Sequence, residues 1–119
     1  MAFIKNRFDK DAQENGKFFD YDGGKFKVAS MSNTAFIKAY GEYQAGDASQ
    51  EDFAKVIAET ILLDWDEIYD EDGETAIPYS VEVATEFLVL DTELLAFIIN
   101  TMNNRDNYRR ELVKKKTKK

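Results

Sequence analysis

Two short stretches near the start of the chain alternate apolar and polar side chains. Residues 17–21 and 25–29 both show this period of two, which is typical of half-buried β-strands. The Asp-Gly-Gly sequence at residues 22–24 lies between them and tolerates the positive φ angles of a tight hairpin turn. We therefore predict a β-hairpin over residues 17–29. Its apolar face should pack on helices, because an isolated hairpin is only marginally stable in water.

From residue 32 onward, apolar positions recur every three or four residues, which predicts helices. A first helix is expected over residues 32–44, with Ser32 or Asn33 as its cap. A longer helix is expected over residues 50–69. Residues 49–52 resemble a capping box, which marks its start. Its predicted apolar stripe consists of Phe53, Val56, Ile57, Ile61, Trp65 and Ile68.

A third helical run begins at a cap, Ser80, and continues to about residue 104. An Asp-Thr-Glu sequence at residues 91–93 could break and recap this run, which would give two helices. The fold class predicted is α+β, mainly α, with a small N-terminal β-hairpin followed by three to four packed helices. The stripe of the last run consists of Val83, Phe87, Leu90, Leu94, Ile98 and Met102.

The length of 119 residues predicts a single domain over residues 1–119. It divides into an N-terminal arm or irregular lead-in (1–16), a hairpin and helical body (17–104) and a basic C-terminal tail (105–119). Residues 1–104 carry eight basic and 21 acidic side chains, whereas the tail carries eight basic and two acidic ones. Such an acidic body is expected to repel nucleic acid and anionic membranes and to favour a basic protein partner.

The composition excludes several kinds of chemistry. The chain has no Cys and no His, so it lacks a thiolate nucleophile, the usual general base and the commonest metal ligand. Asp64 and Asp66 lie two residues apart, on different faces of any helix, and do not form a catalytic carboxylate pair. We expect no enzyme activity and no cofactor. No apolar run approaches 18 residues, so no membrane span is expected.

The acid-rich turn at residues 70–79 invites comparison with a calcium-binding EF-hand loop. With Gly73 at the sixth position, Asp70 and Asp72 occupy the third and fifth. Ile68 and Tyr79 then occupy the first and twelfth positions, where carboxylates are needed, so no metal site is predicted. Weak divalent binding remains an alternative at Asp64, Asp66, Asp70 and Asp72.

Two other clusters have competing interpretations. Trp65, with Phe53 and Ile61, could form a binding hot spot, since Trp is enriched in hot spots, or could simply belong to the core. A cluster of basic residues with an interleaved tyrosine could bind nucleic acid, although the acidic body disfavours it. This second cluster consists of Arg105, Tyr108, Arg109 and Arg110.

The order of several short blocks resembles the tail assembly chaperones of long-tailed bacteriophages. Asn-Thr-Ala-Phe at residues 33–36 follows a Gly-Gly hairpin, and Ala-Glu-Thr-Ile-Leu-Leu-Asp-Trp occupies residues 58–65. Glu-Asp-Gly-Glu at 71–74 and Pro-Tyr-Ser at 78–80 come next. A helical run that ends in Asn-Asn-Arg at 103–105 then leads to a lysine-rich end. The similarity extends over most of the chain.

This resemblance implies a non-enzymatic helper of virion assembly that acts in the host bacterial cytoplasm. Such a chaperone binds the long helical tape measure protein and keeps it soluble while tail tube protein polymerises around it. The resemblance further implies absence from the finished virion, self-association, and tail tube protein as a second partner. The candidate partner-binding residues are Leu62, Leu63, Trp65, Phe87, Leu94 and Ile98, each of which could instead belong to the core.

Two other functions remain open at this level. A small acidic adaptor or inhibitor that binds a basic host protein is the main alternative. Its complex should weaken steeply with salt, whereas a chaperone complex driven by apolar burial should resist salt. A structural component of the virion is the third possibility.

Overall fold

Helices form most of the molecule, and one small antiparallel sheet lies among them, which confirms the predicted α+β, mainly α class. The structure is a computed structural model that describes residues 7–46 and 49–109. Residues 110–119 of the predicted basic tail lie outside the described residues. In chain order the elements are α1 (Lys10–Asn15), β1 (Lys17–Tyr21), β2 (Gly24–Val28), α2 (Thr34–Ala45), α3 (Gln50–Thr60), β3 (Leu62–Asp66), α4 (Val81–Leu90), α5 (Thr92–Asn103) and a 3-10 helix over Arg105–Tyr108.

The predicted hairpin is confirmed. β1 and β2 pair antiparallel, with Phe19 opposite Phe26, and Asp22 and Gly23 form the turn with φ angles of 50° and 87°. Two successive positive φ angles match the right-handed twist of the strands, which is why Asp-Gly is favoured here. Phe26 and Val28 face the core, and β2 packs against α5.

The helix predicted over residues 50–69 is wrong beyond residue 60. Residues 62–66 instead form β3, which pairs antiparallel with β2 and places Trp65 opposite Phe26. An irregularity in this pairing makes Leu63 an extra residue, so Leu62 and Trp65 both reach the core although they lie three apart. A separation of three residues between apolar positions is also typical of a helix, which explains the wrong prediction. Glu67, with φ of 56°, then ends the strand in a conformation that no α-helix contains.

Side-chain caps set the helix starts, as the sequence indicated. Asn33, Ser49 and Ser80 each accept a hydrogen bond from a backbone N–H in the first turn that follows. Asp91 caps α5 by accepting from Leu94 N, so the last apolar run is two helices rather than one. Because the helical register restarts there, Leu90 lies 83% exposed instead of in the predicted core stripe.

The start of the described chain is more ordered than the expected lead-in. α1 forms after the cap Asp9, and Ala12 packs inward from it. Asp9 N donates to Tyr108 O over 2.8 Å, and Phe8 bridges antiparallel to Arg109. The two ends of the described chain therefore lie side by side.

The core lies where α3, α4 and α5 meet one face of the sheet. α3 packs against both α2 and α4, and β3 follows directly from it. Fully buried side chains come from each of these layers, so no element forms a separate unit. The largest apolar ones are Val28, Ile57, Ile61, Leu62, Leu88 and Ile98.

Asn33 is the buried polar group that ties this core together. Its side chain is 1% exposed and donates to Ser30 O and Thr60 O over 2.7 and 3.1 Å. Its oxygen accepts from Phe36 N over 2.8 Å. One amide therefore caps α2 and joins that helix to the end of α3.

We expect Asn33→Ala to lower the free energy of unfolding by about 2–3 kcal/mol, because the cap is lost and buried carbonyls lose their donor. Urea denaturation of the full chain measures this. Ser49→Ala, which removes an exposed cap, is the matched control and should cost only about 1 kcal/mol. Equal losses for the two variants would show that the Asn33 bonds to Ser30 and Thr60 contribute little.

Candidate functional site

The six candidate partner-binding residues fall into two groups in the structure. Four are buried in the core, namely Leu62, Trp65, Leu94 and Ile98. Leu63 and Phe87 remain partly exposed. Burial in the core leaves most of these side chains no free surface, whereas Phe87 and one edge of Leu94 line a surface groove. The role of all six in partner binding stays a prediction.

Trp65 is held on several sides. Its ring stacks on Phe87 with centroids 5.0 Å apart and meets Phe26 and Tyr79 edge to face. Its Nε1–H donates to Ile77 O over 2.8 Å, which satisfies its one polar group. Trp65 therefore joins the sheet, α4 and the acid-rich turn at residues 70–79, which we call the acidic loop. The fold supports the interpretation of Trp65 as a core residue.

Tyr79 fastens the end of the acidic loop to the core. Its hydroxyl lies 2.6 Å from Leu62 O and 2.9 Å from Ala58 O. Burial, followed by the charges of Asp64 and Glu82, raises the pKa of Tyr79 to about 12. The neutral phenol is thus the form that the folded protein favours.

A groove opens beside Trp65, between the hairpin turn, the residues after β3 and the end of α4. Its volume is about 500 Å³. The floor is apolar and mostly aromatic, and the turn at residues 22–24 forms one wall. Gly24 lies close to this lining, since a Cβ there would be 2.6 Å from Ile68 Cδ1 and the Ile68 side chain would have to shift. The lining residues are Tyr21, Asp22, Gly23, Gly24, Phe26, Glu67, Ile68, Tyr69, Phe87, Asp91 and Leu94.

A second depression extends the groove across the junction of α4 and α5. The two depressions share Phe87 and Asp91, so they form one continuous surface, which we call the acid-rimmed groove. Leu90 contributes the most exposed large apolar side chain in the described part of the chain. Val89, 40% exposed, directly precedes Leu90 in sequence. Tyr69, 49% exposed, lines the first depression. The second depression is lined by Phe87, Leu90, Asp91, Thr92 and Glu93.

Carboxylates surround this apolar floor. Asp22, Glu67, Asp91 and Glu93 all belong to the lining. Partial burial, followed by the charges of Glu93, Asp91 and Asp22, raises the pKa of Tyr21, whose ring stacks on Phe97 at 4.4 Å. These three carboxylates therefore lie close to a side chain of the groove lining. A basic ligand segment would therefore find opposite charge at the rim.

The acidic loop uses its carboxylates to organise its own backbone. Asp72 accepts from Thr75 Oγ1, Thr75 N and Glu74 N over 2.6, 2.9 and 2.8 Å. These hydrogen bonds, that of the Thr75 hydroxyl above all, lower the pKa of Asp72 to about 2. Asp64, Asp66 and Asp70 each accept from the next backbone N–H. Across residues 7–46 and 49–109 no group of three or more acids is arranged to hold a metal ion.

The basic cluster differs from the stacking site considered from sequence. Tyr108 is only 1% exposed and its hydroxyl donates to Val28 O, so its ring is not available to a base. Arg105 and Arg109 lie instead around Phe8, a residue that the sequence had not linked to them.

The groove also contains residues that the sequence analysis missed. Ile68 was assigned to the stripe of the helix predicted over residues 50–69, and Leu90 to the stripe of the last helical run. The exposed Leu90 had a signal, because a recapping Asp91 directly after it predicts a change of helical face. The approach of the hairpin turn to α4 had no local signal, since it depends on the pairing of β3.

The chain belongs to the family of YdaY prophage proteins, whose pattern matches residues 21–119 and so includes every residue of the groove. The protein is therefore phage-derived, as the resemblance implied in its broadest form. No curated protein and no solved structure matches it. In the described part of the chain no helix is long and apolar enough to span a membrane.

The raised pKa of Tyr79 predicts an alkaline weakness of the fold. Its stabilising effect is complete below pH 10, the value for an unfolded tyrosine, and is lost as the pH rises through about 12. Tyr79→Phe should lower the free energy of unfolding at pH 7 by about 1 kcal/mol. It should also flatten the loss of stability between pH 10 and 12, measured by urea denaturation. Parallel alkaline curves for the two proteins would contradict this.

Proposed function

We propose that the protein is a phage tail assembly chaperone that binds the tape measure protein in the acid-rimmed groove. In this proposal it keeps the tape measure protein soluble in the host bacterial cytoplasm while the tail tube polymerises, performs no catalysis and leaves before the virion is complete. The observation that carries the proposal is an exposed apolar surface, with Leu90 at its edge, inside a ring of carboxylates.

The apolar floor supports the binding of a helix. A long helical protein with an apolar stripe aggregates unless that stripe is covered. Helix-in-groove recognition seats side chains at i, i+3 and i+4 on an apolar floor. Phe87 and Leu94 provide such a floor between Tyr21 and Leu90. The surface is already formed, so little ordering would oppose binding.

The carboxylates of the rim support the selection of a basic partner. Carboxylates at the edge of an interface increase the association rate with a basic partner more than they increase the final affinity. Most of the binding energy would then come from the floor. The proposal also includes tail tube protein as a second partner and self-association of the chaperone.

The acidic adaptor remains the second candidate, favoured by the same four rim carboxylates. The two candidates differ in which part of the groove contributes the affinity. Apolar burial should dominate for a chaperone, whereas charge pairing should dominate for an adaptor that binds a basic host protein.

The test is co-expression with the tape measure protein of the same prophage, followed by measurement of the soluble fraction and of the dissociation constant. Wild type should keep the tape measure protein soluble. Leu90→Gln should weaken the complex by about tenfold or more, because the largest exposed apolar contact is lost. The complex should survive high salt.

The matched control is Ile37→Gln, which removes a 60% exposed apolar side chain from α2, outside the groove lining. It should bind as wild type does. The double variant Glu67→Gln, Glu93→Gln tests the rim and leaves the cap Asp91 intact. The chaperone proposal fails if this double variant and added salt abolish binding while Leu90→Gln has no effect.

A further inference from the structure

Residues 110–119 follow the last described residue, and we call them the lysine-rich segment. They carry six basic side chains and one acidic one. Five of the six are lysines, at positions 114, 115, 116, 118 and 119. Residues 1–104 carry 21 acidic and eight basic side chains, so the segment is attached to a body of opposite charge. Attraction between the two is therefore expected.

Contacts at the end of the described chain fix the point from which this segment departs. Arg109 bridges antiparallel to Phe8. Tyr108 is anchored in the core, where its hydroxyl donates to Val28 O over 3.1 Å. Its ring meets that of Phe19 edge to face, with the centroids 6.1 Å apart. The lysine-rich segment therefore begins close to β1.

The acid-rimmed groove lies within reach of this segment. Tyr21 belongs to the groove lining and lies two residues beyond Phe19 on β1, about 7 Å away at the usual rise of a strand. Ten extended residues span up to about 33 Å, so residues 110–119 can pass Tyr21 and follow the rim. Lys114, five residues beyond Arg109, is the first lysine that reaches the lining, at up to about 17 Å.

The rim carboxylates come from three separate parts of the chain. The hairpin turn, the residue after β3 and the start of α5 contribute them, namely Asp22, Glu67, Asp91 and Glu93. Lys25 directly follows the turn, but it pairs with Asp20 over 3.1 Å. The pKa of Lys25 is raised first by that hydrogen bond and to a lesser extent by Glu67. The rim thus keeps a net negative charge beside its apolar floor.

Other acids of the chain are less suited to hold the segment. Asp72 accepts three hydrogen bonds within the acidic loop. Asp52 on α3 accepts from Ser49 N and Oγ over 2.9 and 3.1 Å. Both carboxylates already share their charge with neighbouring donors. The rim differs from them because it places four carboxylates around one groove within reach of the segment.

We propose that the lysine-rich segment of the same chain occupies the acid-rimmed groove in the free protein, with its lysines at the rim carboxylates. Each exposed ion pair is weak by itself. The segment is tethered, however, so its effective concentration at the groove is in the range of about millimolar that short linkers give. Several weak pairs then suffice to keep the segment in place at low salt.

The segment leaves the apolar floor uncovered. Its lysines offer no apolar stripe to Phe87, Leu90 and Leu94, and its own apolar pair, Leu112 and Val113, precedes the first lysine. A partner that covers both floor and rim therefore displaces the segment, whereas a merely basic protein must compete for the same carboxylates. This consequence rests on the function proposed above, but the occupancy itself does not.

A spin label tests the occupancy without any partner. The chain has no Cys, so Thr117→Cys provides a single attachment point for a nitroxide. At low salt, the label should broaden the amide NMR signals of residues 22–24, 67–69 and 91–93 more than those of α2 and α3. The effect should vanish near 1 M salt, where the screening length falls to about 3 Å. Residues 7–15, near the point of departure, broaden in either case.

The controls separate the groove from the rest of the acidic surface. Glu67→Gln with Glu93→Gln should abolish the broadening at the groove. Glu51→Gln with Glu59→Gln removes the same charge from exposed positions on α3, outside the groove lining, and should leave the broadening unchanged. Amide spectra of each variant verify that the fold is intact.

The occupancy is overturned by any of three results. The first is no broadening at the groove, and the second is equal broadening of α2 and α3. The third comes from a mixture of spin-labelled chain with isotope-enriched, unlabelled chain. Broadening at the groove in that mixture would assign the groove to the segment of a second copy.

Binding of the tape measure protein tests the competition separately. An occupancy of about two-thirds predicts about threefold tighter binding once all five lysines are replaced by Gln, because the groove is then always free. Equal or weaker binding by this variant would contradict competition. If the label shows occupancy but the tape measure protein does not bind, the proposed function fails and the occupancy stands. If that protein binds but the label shows no occupancy, the reverse holds.

Discussion

Pairing of β3 with β2 is the interaction on which the rest of the structure depends. It turns the chain back after α3 and places Trp65 opposite Phe26. Trp65 then stacks on Phe87 and donates to Ile77 O, so one side chain fixes both α4 and the end of the acidic loop. Without this pairing, β2 would lose its second neighbour and the aromatic core would lose its centre. The hairpin alone would be too small to persist in water.

The same pairing creates the surface to which we assign function. It brings the hairpin turn and the residues after β3 to the junction of α4 and α5, where Asp91 interrupts the helical run. The interruption exposes Leu90, which shares its depression with Asp91 and Glu93 of the helix start. Apolar and acidic features of the groove therefore follow from the fold itself. Positive charge lies instead around Phe8, where the two ends of the described chain meet.

Local sequence was sufficient for the features that local chemistry determines. The Asp-Gly turn, the caps Asn33, Ser49 and Ser80 and the recap at Asp91 were all predictable, because each satisfies backbone groups within a few residues. β3 was not, since its bulge gives Leu62 and Trp65 a helix-like spacing. The groove and the arginines around Phe8 were hidden for a related reason. Both assemble residues from distant elements, and only the sheet pairing and the Phe8–Arg109 bridge show which of them meet.

In the function we propose, the acid-rimmed groove holds a helix of the tape measure protein. Hydrogen–deuterium exchange of the chain, alone and in complex with that protein, tests it most directly. Binding should slow exchange at the hairpin turn, at residues 67–69 and across the α4–α5 junction, and should leave α2 unchanged. Slowed exchange confined to α2 and α3, with the groove exchanging as in the free protein, would contradict it.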